Sequence, residues 1–336
     1  MIGVRFWAVS DVALTTPTRN QVLSAQQRLR GKVYVTPVLR NYDLDEQCGA
    51  QLWLKAENMQ RVGAFKARGA YNAISQLAAN ELREGVTTYS SGNHAQAVAW
   101  AARGFRLRAT IFMPANAPAI KVEAVKAMGA KVIRAGTTSL ERQAAAQKFS
   151  KETGATIIEP FDHPHTIAGQ ATVAMELVQE VASRANGAAL DQLFVPVGGG
   201  GLIAGACIAL EGSSTEIISV EPESCCSMKK SLAAKTIVSV PPGATLADGL
   251  KPTRVGEMNF AIAKERLSDA ITVNDNEIGS ALVQLLLTTK TLVEPSGAAA
   301  LAGAIRCAAK GKRVGVILSG GNIGPQTLAS LLTKHG

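Results

Sequence analysis

The chain has 336 residues, 47% of them hydrophobic, 18% charged and only 4% aromatic, with a net charge of +9. These values exclude a disordered chain and a small disulfide-stapled domain, and they fit an ordered enzyme-sized protein of two packed lobes. Residues 1–10 show no basic segment followed by a long apolar run, and no stretch reaches the length of a membrane span uninterrupted, so a soluble, cytoplasmic protein is expected.

Strands are predicted over 51–56, 86–89, 109–113, 131–134, 156–159, 192–197, 216–221, 270–273 and 313–318. Between them fall helical patterns over 67–77, 94–103, 119–128, 139–152, 167–185, 202–210, 275–287, 297–309 and 325–332. This alternation predicts an α/β protein of two lobes, each an open, mostly parallel twisted sheet covered by helices. The close-spaced strands assign residues 85–159 to a small mobile domain, and 1–84 with 160–336 to a larger, discontinuous one. Ligands of such folds bind at the C-terminal ends of strands, where loops meet helix N-termini, and the candidate residues fall there.

The first is Lys66, in Gly63-Ala64-Phe65-Lys66-Ala67-Arg68-Gly69. An amine wedged between an aromatic ring and small residues has a depressed pKa and can act as nucleophile or base. Schiff-base chemistry with a carbonyl cofactor, typically pyridoxal phosphate (PLP), is one reading; two exposed cations at a helix start is the other. Next comes Ser90-Ser91-Gly92-Asn93-His94 after a strand, where hydroxyls and helix-start amides can hold a carboxylate. An ordinary helix cap accounts for the same residues. His163 and His165 resemble a metal pair, yet no third ligand is nearby, so they are read as loop residues.

Val195-Pro196-Val197 runs into Gly198, Gly199, Gly200 and Gly201, then a helical pattern. Glycines let backbone N–H groups approach an anion, and a helix N-terminus adds positive potential, so this is a phosphate cradle. Gly199–Ala204 also matches a dinucleotide fingerprint, with Glu221 at the matching distance, which leaves NAD open at this point. The five cysteines, among them adjacent Cys225 and Cys226, form no CxxC pair, so neither disulfides nor structural zinc are expected. Ser319-Gly320-Gly321-Asn322 follows the last strand, and its serine can bond an aromatic nitrogen without protonating it, while an ordinary turn accounts for the same residues. Residues 1–168 hold 21 Lys and Arg against 12 Asp and Glu, which serves solubility alone or suits an anionic small ligand, while scarce aromatics argue against nucleic acid.

Taken in order, Gly63–Gly69, Ser90–His94, Ile167–Gln170, Gly198–Leu202, Ala247–Gly249 and Ser319–Asn322 resemble the motifs of the PLP-dependent serine/threonine dehydratase and serine racemase family, of the tryptophan-synthase β fold type. The resemblance covers nearly the whole chain and displaces NAD, which gives Lys66, Asn93 and Ser319 no task. It implies that PLP lies in the cleft between the lobes, with Lys66 as its Schiff-base lysine and Phe65 packed on its ring. Asn93 would meet the ring hydroxyl, Gly198, Gly199, Gly200 and Gly201 the phosphate, and Ser319 the pyridine nitrogen. Ser90, Ser91, Gly92 and His94 would line the substrate carboxylate.

The activity it implies is a carbon–nitrogen lyase that turns a β-hydroxy-α-amino acid, by default L-threonine or L-serine, into a 2-oxo acid and ammonia. Alternatives are a serine or aspartate racemase, a dehydratase for 3-hydroxyaspartate or phenylserine, and a silent ligand-binding homologue. Ser91 stands where racemases place a second proton carrier, and so permits racemisation. Three departures count: Ala64 replaces the usual serine, Ala171 a common glycine, and Ser227 a carboxylate of the racemases' divalent-cation loop, so no metal is expected. The chain ends soon after Ser319, so no C-terminal regulatory domain is expected. A homodimer is the expected assembly.

Overall fold

The structure, a computed structural model, describes residues 15–336. The reading of residues 1–10, and the first part of the 1–84 segment, lie outside the described residues. Ten strands run as β1 (Val38–Leu39), β2 (Gln51–Ala56), β3 (Val86–Tyr89), β4 (Ala109–Met113), β5 (Lys131–Arg134), β6 (Thr156–Ile157), β7 (Gln192–Pro196), β8 (Glu216–Pro222), β9 (Asp269–Val273) and β10 (Arg313–Leu318). They form two sheets, ordered β1-β2-β10-β7-β8-β9 and β5-β4-β3-β6. Every pairing is parallel except β1 with β2. The α/β class with helix-covered, mostly parallel sheets is therefore observed.

β10 holds the larger sheet together because it is apolar and bonded on both sides. Val314 stands opposite Leu52 of β2 and Gln192 of β7, and Val314 through Leu318 are all buried, the bare Gly315 included. A strand buried on both faces reads as a continuous apolar run, as this one does. At Gly315 an added Cβ would lie within 3.0 Å of Leu190, Leu193 and Leu177, so the helix Pro164–Arg184 packs directly on the strand. Three buried clusters fill the two faces of the larger sheet and the helix-covered face of the smaller one.

Several helix starts are written locally. Thr138 with Glu141 and Asn274 with Glu277 form capping boxes that satisfy otherwise orphaned N–H groups. Helices Arg19–Leu29, Tyr42–Cys48, Ser227–Ala234 and Glu257–Arg266 were not expected. The first buries only Val22, Ala25 and Leu29, a stripe too thin to stand out in a polar sequence. β6 stops at Ile157, not at 159, because Pro160 has no N–H and the Ile158 carbonyl is taken by Thr88 and His94.

Candidate active site

The lysine segment is zipped to the end of the last strand. Phe65 N donates to Ser319 O (3.1 Å), Gly321 N donates to Gly63 O (2.9 Å), and Ala64 bridges Gly320. Val62 is held at φ 54°, a left-handed conformation costly for a β-branched residue, and its carbonyl accepts from Asn322 Nδ2 (2.8 Å). Lys66 then opens the helix Lys66–Ile74. Its Nζ donates to Pro160 O (2.7 Å) and lies 5.0 Å from the Phe65 ring centre. Burial lowers its pKa to about 8. Ala64, in place of the usual serine, is fully buried against the Gly320 backbone.

Beneath that helix lies a quartet of buried charges. Arg68 is fully buried and bonds both Glu57 oxygens (2.7 and 2.8 Å) and both Glu176 oxygens (2.6 and 2.8 Å). Lys55 Nζ completes it at Glu176 Oε2 (2.7 Å). Burial alone would raise Glu57, yet Arg68 and Lys55 hold its carboxyl below the usual range. Gly69 faces Gln170, and Gly169 faces the Arg68 carbonyl, so the two helices cross at near backbone contact. Ala171 is buried in the next crossing, where bare Gly205 lies against its backbone.

The glycine loop is packed from behind. A Cβ at Gly199 would sit 2.2 Å from the Phe161 ring, and one at Gly198 would sit 2.9 Å from Gly249 O. Gly200 takes φ 95° and caps the helix Gly201–Ala209. Gly199 O accepts from Asn259 Nδ2 (2.8 Å) and Gly256 N (3.0 Å). None of the four N–H groups of Gly198–Gly201 finds an acceptor among the described residues. Carbonyls turned into the protein and amides turned out at a helix start are what a phosphate group needs.

Ser90, Ser91, Gly92 and Asn93 form the half-buried turn from β3 into the helix Asn93–Gly104. Asn93 Oδ1 accepts from Asn322 Nδ2 (2.8 Å), and its Nδ2 donates to Glu294 Oε1 (2.6 Å). These bonds draw Asn93, Asn322, Ser319 and the Lys66 segment into one cluster. Ser319 is buried and donates weakly to Ser296 O (3.3 Å). His94 is buried with Nε2 against Ile158 O (3.0 Å), and its Nδ1 has no partner. Burial first, and Lys66 second, lower its pKa to about 3, so the ring is neutral.

Four groups were missed from sequence: Glu294, Tyr89 with Glu159, Asn259, and Lys121 as the partner of Asp248, which the Ala247–Gly249 motif contains. Tyr89 Oη donates to Glu159 Oε2 (2.6 Å). Lys121, on the helix Ala119–Ala127, reaches Asp248 in the turn Asp248–Leu250. Pro295, between Glu294 and Ser296, is a visible helix-start signal, but nothing local aims the Glu294 carboxyl at Asn93. His163 caps the helix Pro164–Arg184, its Nδ1 accepting from His165 N (3.2 Å). Glu221 accepts from Met228 N and Lys229 N (both 2.8 Å), burial raises it to about 7, and buried Ser227 Oγ has no partner.

The profile of pyridoxal-phosphate dependent enzymes matches residues 29–320. The chain belongs to the pyridoxal-phosphate-dependent enzyme family. PLP is therefore its cofactor, and the amide cradle at Gly198–Gly201, the depressed Lys66 amine and the neutral Ser319 hydroxyl fit phosphate, aldehyde and pyridine nitrogen. This PLP-dependent enzyme is 41% identical to the L-threo-3-hydroxyaspartate ammonia-lyase of Saccharomyces cerevisiae, over 95% of this chain and 98% of the relative. It is 37% identical to the L-threonine ammonia-lyase of Thermotoga maritima, over 94% and 78%. The solved structure of maize serine racemase superposes with a TM-score of 0.88 at 36% identity, covering 96% of this chain and 98% of that one. Among its described residues no helix is long and apolar enough to cross a membrane, and no three His, Cys, Asp or Glu cluster as a metal site.

Proposed function

We propose that this PLP-dependent enzyme is an ammonia-lyase that converts a β-hydroxy-α-amino acid, by default L-threonine or L-serine, into a 2-oxo acid and ammonia. The observation that carries the reading is the buried Lys66 amine, lowered to about 8 and zipped to the Ser319–Asn322 turn. Relatives named as threonine and 3-hydroxyaspartate ammonia-lyases support it.

PLP, when bound, supplies a carbonyl carbon for the substrate amine and an electron sink for charge developing at Cα. The protein does the rest. The amides of Gly198–Gly201 hold the phosphate, and Phe65 packs against the ring. The Ser90–Gly92 turn and the following helix start hold the substrate carboxylate, with His94 behind them. Lys66, neutral in good part near pH 8, takes the proton from Cα. The β-hydroxyl then leaves with a proton as water. The resulting enamino acid tautomerises, and a water molecule releases ammonia from the 2-oxo acid. Ser319, which stays neutral beside the pyridine nitrogen, limits charge storage on the ring and so favours elimination over transamination.

Two groups of the proposal concern architecture. Residues 85–159 act as a small mobile domain and 160–336, with the chain before 85, as the larger one. The Lys121–Asp248 pair spans the two. A homodimer is supported by exposed apolar side chains at Tyr34, Val35, Tyr42 and Leu287. Asn41 Nδ2 bonds Thr288 O, which places Tyr42 and Leu287 on one side of the molecule. Five free cysteines suit the reducing cytoplasm.

A racemase is the second reading, favoured by Ser91 and by the maize serine racemase likeness. The deciding experiment measures 2-oxo acid and ammonia from threonine, serine, threo-3-hydroxyaspartate and phenylserine, in both enantiomers, with Lys66→Ala as control. Turnover lost in the control is expected. Chirality change without 2-oxo acid would put the racemase first.

A further inference from the structure

We propose that Glu294 is a positioning residue of the cofactor seat: its carboxyl fixes the Asn93 amide so that Asn93 offers an N–H, and not its carbonyl, to the ring oxygen of PLP. The inference rests on the reading of Asn93 as the ring-oxygen contact.

An amide has nearly the same shape either way round, so its orientation is set by its neighbours. Asn93 has one on each side. Its Nδ2 donates to Glu294 Oε1 at 2.6 Å, and its Oδ1 accepts from Asn322 Nδ2 at 2.8 Å. Asn322 is itself oriented, because the same nitrogen donates to Val62 O at 2.8 Å. Turning Asn93 over would set its NH2 against that of Asn322, and its oxygen against the ionised Glu294 carboxylate. One Nδ2 hydrogen is used on Glu294, and the second remains for a ligand.

The backbone is shaped to let this carboxyl in. A Cβ at Gly320 would lie 2.3 Å from Glu294 Oε1 and 3.0 Å from Asn93 Nδ2. Gly320 is the residue after Ser319, so Glu294 lies under the edge that joins the pyridine-nitrogen and ring-oxygen contacts. Glu294 is only 5% exposed and precedes the helix Pro295–Cys307. Burial, reinforced by Asp248, raises its pKa to about 8, while Asn93 and Lys121 oppose the rise. A protonated carboxyl still accepts through its carbonyl oxygen, and it puts no full negative charge beside the ring.

The test reads cofactor binding, and needs no substrate, so it stands apart from the lyase assay. Apo protein is titrated with PLP, following tryptophan fluorescence for Kd and the visible absorbance band for the environment of the ring oxygen. Glu294→Ala is expected to shift the band and to weaken Kd by about tenfold, the loss of one well-placed hydrogen bond. Glu294→Gln, whose amide oxygen accepts the same N–H, is expected to keep both. A Glu294→Ala protein that is folded by circular dichroism, with the wild-type band and a Kd within about twofold, overturns the proposal. So does a Glu294→Gln protein as perturbed as the alanine variant. Should Glu294→Ala fail to fold, Asn322→Ala removes the lock from the other side. It must move band and Kd in the same direction, and wild-type values there also overturn the proposal.

Discussion

Lys66 Nζ donates to the carbonyl oxygen of Pro160 across 2.7 Å, so the lysine is aimed at the segment that follows β6. Its folded pKa of about 8 lies below the ordinary value of 10.5. Only the neutral amine can attack an aldehyde. Reconstitution of apo protein with PLP is therefore expected to slow by about tenfold for each pH unit below 8. The unfolded lysine binds more protons between pH 8 and 10.5, so this group makes the apo protein more stable as pH rises through that window. Stopped-flow absorbance and urea unfolding check the two effects.

Removing the Arg68 guanidinium leaves Glu57 and Glu176 facing each other without their main partner. Arg68→Met is expected to cost about 3–5 kcal/mol, read as a lower denaturant midpoint. Glu57 is lowered in the fold, so its stabilisation is present above the ordinary carboxylate range and is lost as pH falls through the folded value. Glu57→Gln is expected to flatten the acid limb of the stability curve.

Gly199→Ala places a methyl 2.2 Å from the Phe161 ring, which is held by the loop's own contacts. The loop must shift, and its amides shift with it. PLP affinity is expected to fall by at least about tenfold, while an alanine at Gly92, which meets nothing within 4 Å, leaves it near wild type. Equilibrium dialysis distinguishes the two.

Lys121 and Asp248 pair the helix Ala119–Ala127 with the turn Asp248–Leu250, with side-chain exposures of 31% and 48%. Such a pair is worth at most about 1 kcal/mol and is screened by salt. Lys121→Ala is expected to raise KM up to about fivefold at low salt, with little change in kcat, and to converge with wild type near 0.5 M salt.

Glu221 spends both oxygens on the helix start at Met228 and Lys229. Its pKa is raised to about 7, so the folded state holds the proton more tightly and stability from this group falls as pH rises from 4.5 to 7. Glu221→Gln is expected to remove that slope, which is at most about 1.4 kcal/mol per pH unit. Added magnesium is expected to leave the wild-type melting temperature unchanged, because Ser227 supplies no carboxylate.

The amino-acid sequence by itself determined the alternation of strands and helices, because apolar runs and amphipathic spacing are local signals. It also marked Lys66, the glycines at 198–201, Asn93 and Ser319 as candidates, each with an ordinary alternative until the six motifs, taken in order, showed the family resemblance. Element ends were less legible: Pro160 was visible, but β6 stops early also because distant Thr88 and His94 claim the Ile158 carbonyl. Glu294 was invisible for a similar reason. It stands 201 residues from Asn93, and nothing beside it in sequence says where its carboxyl points. The buried quartet around Arg68 likewise draws on residues 55, 57 and 176. Such partners are chosen by the crossing of elements far apart in the chain, and only the folded backbone, with bare glycines at the crossings, decides which charges and amides meet.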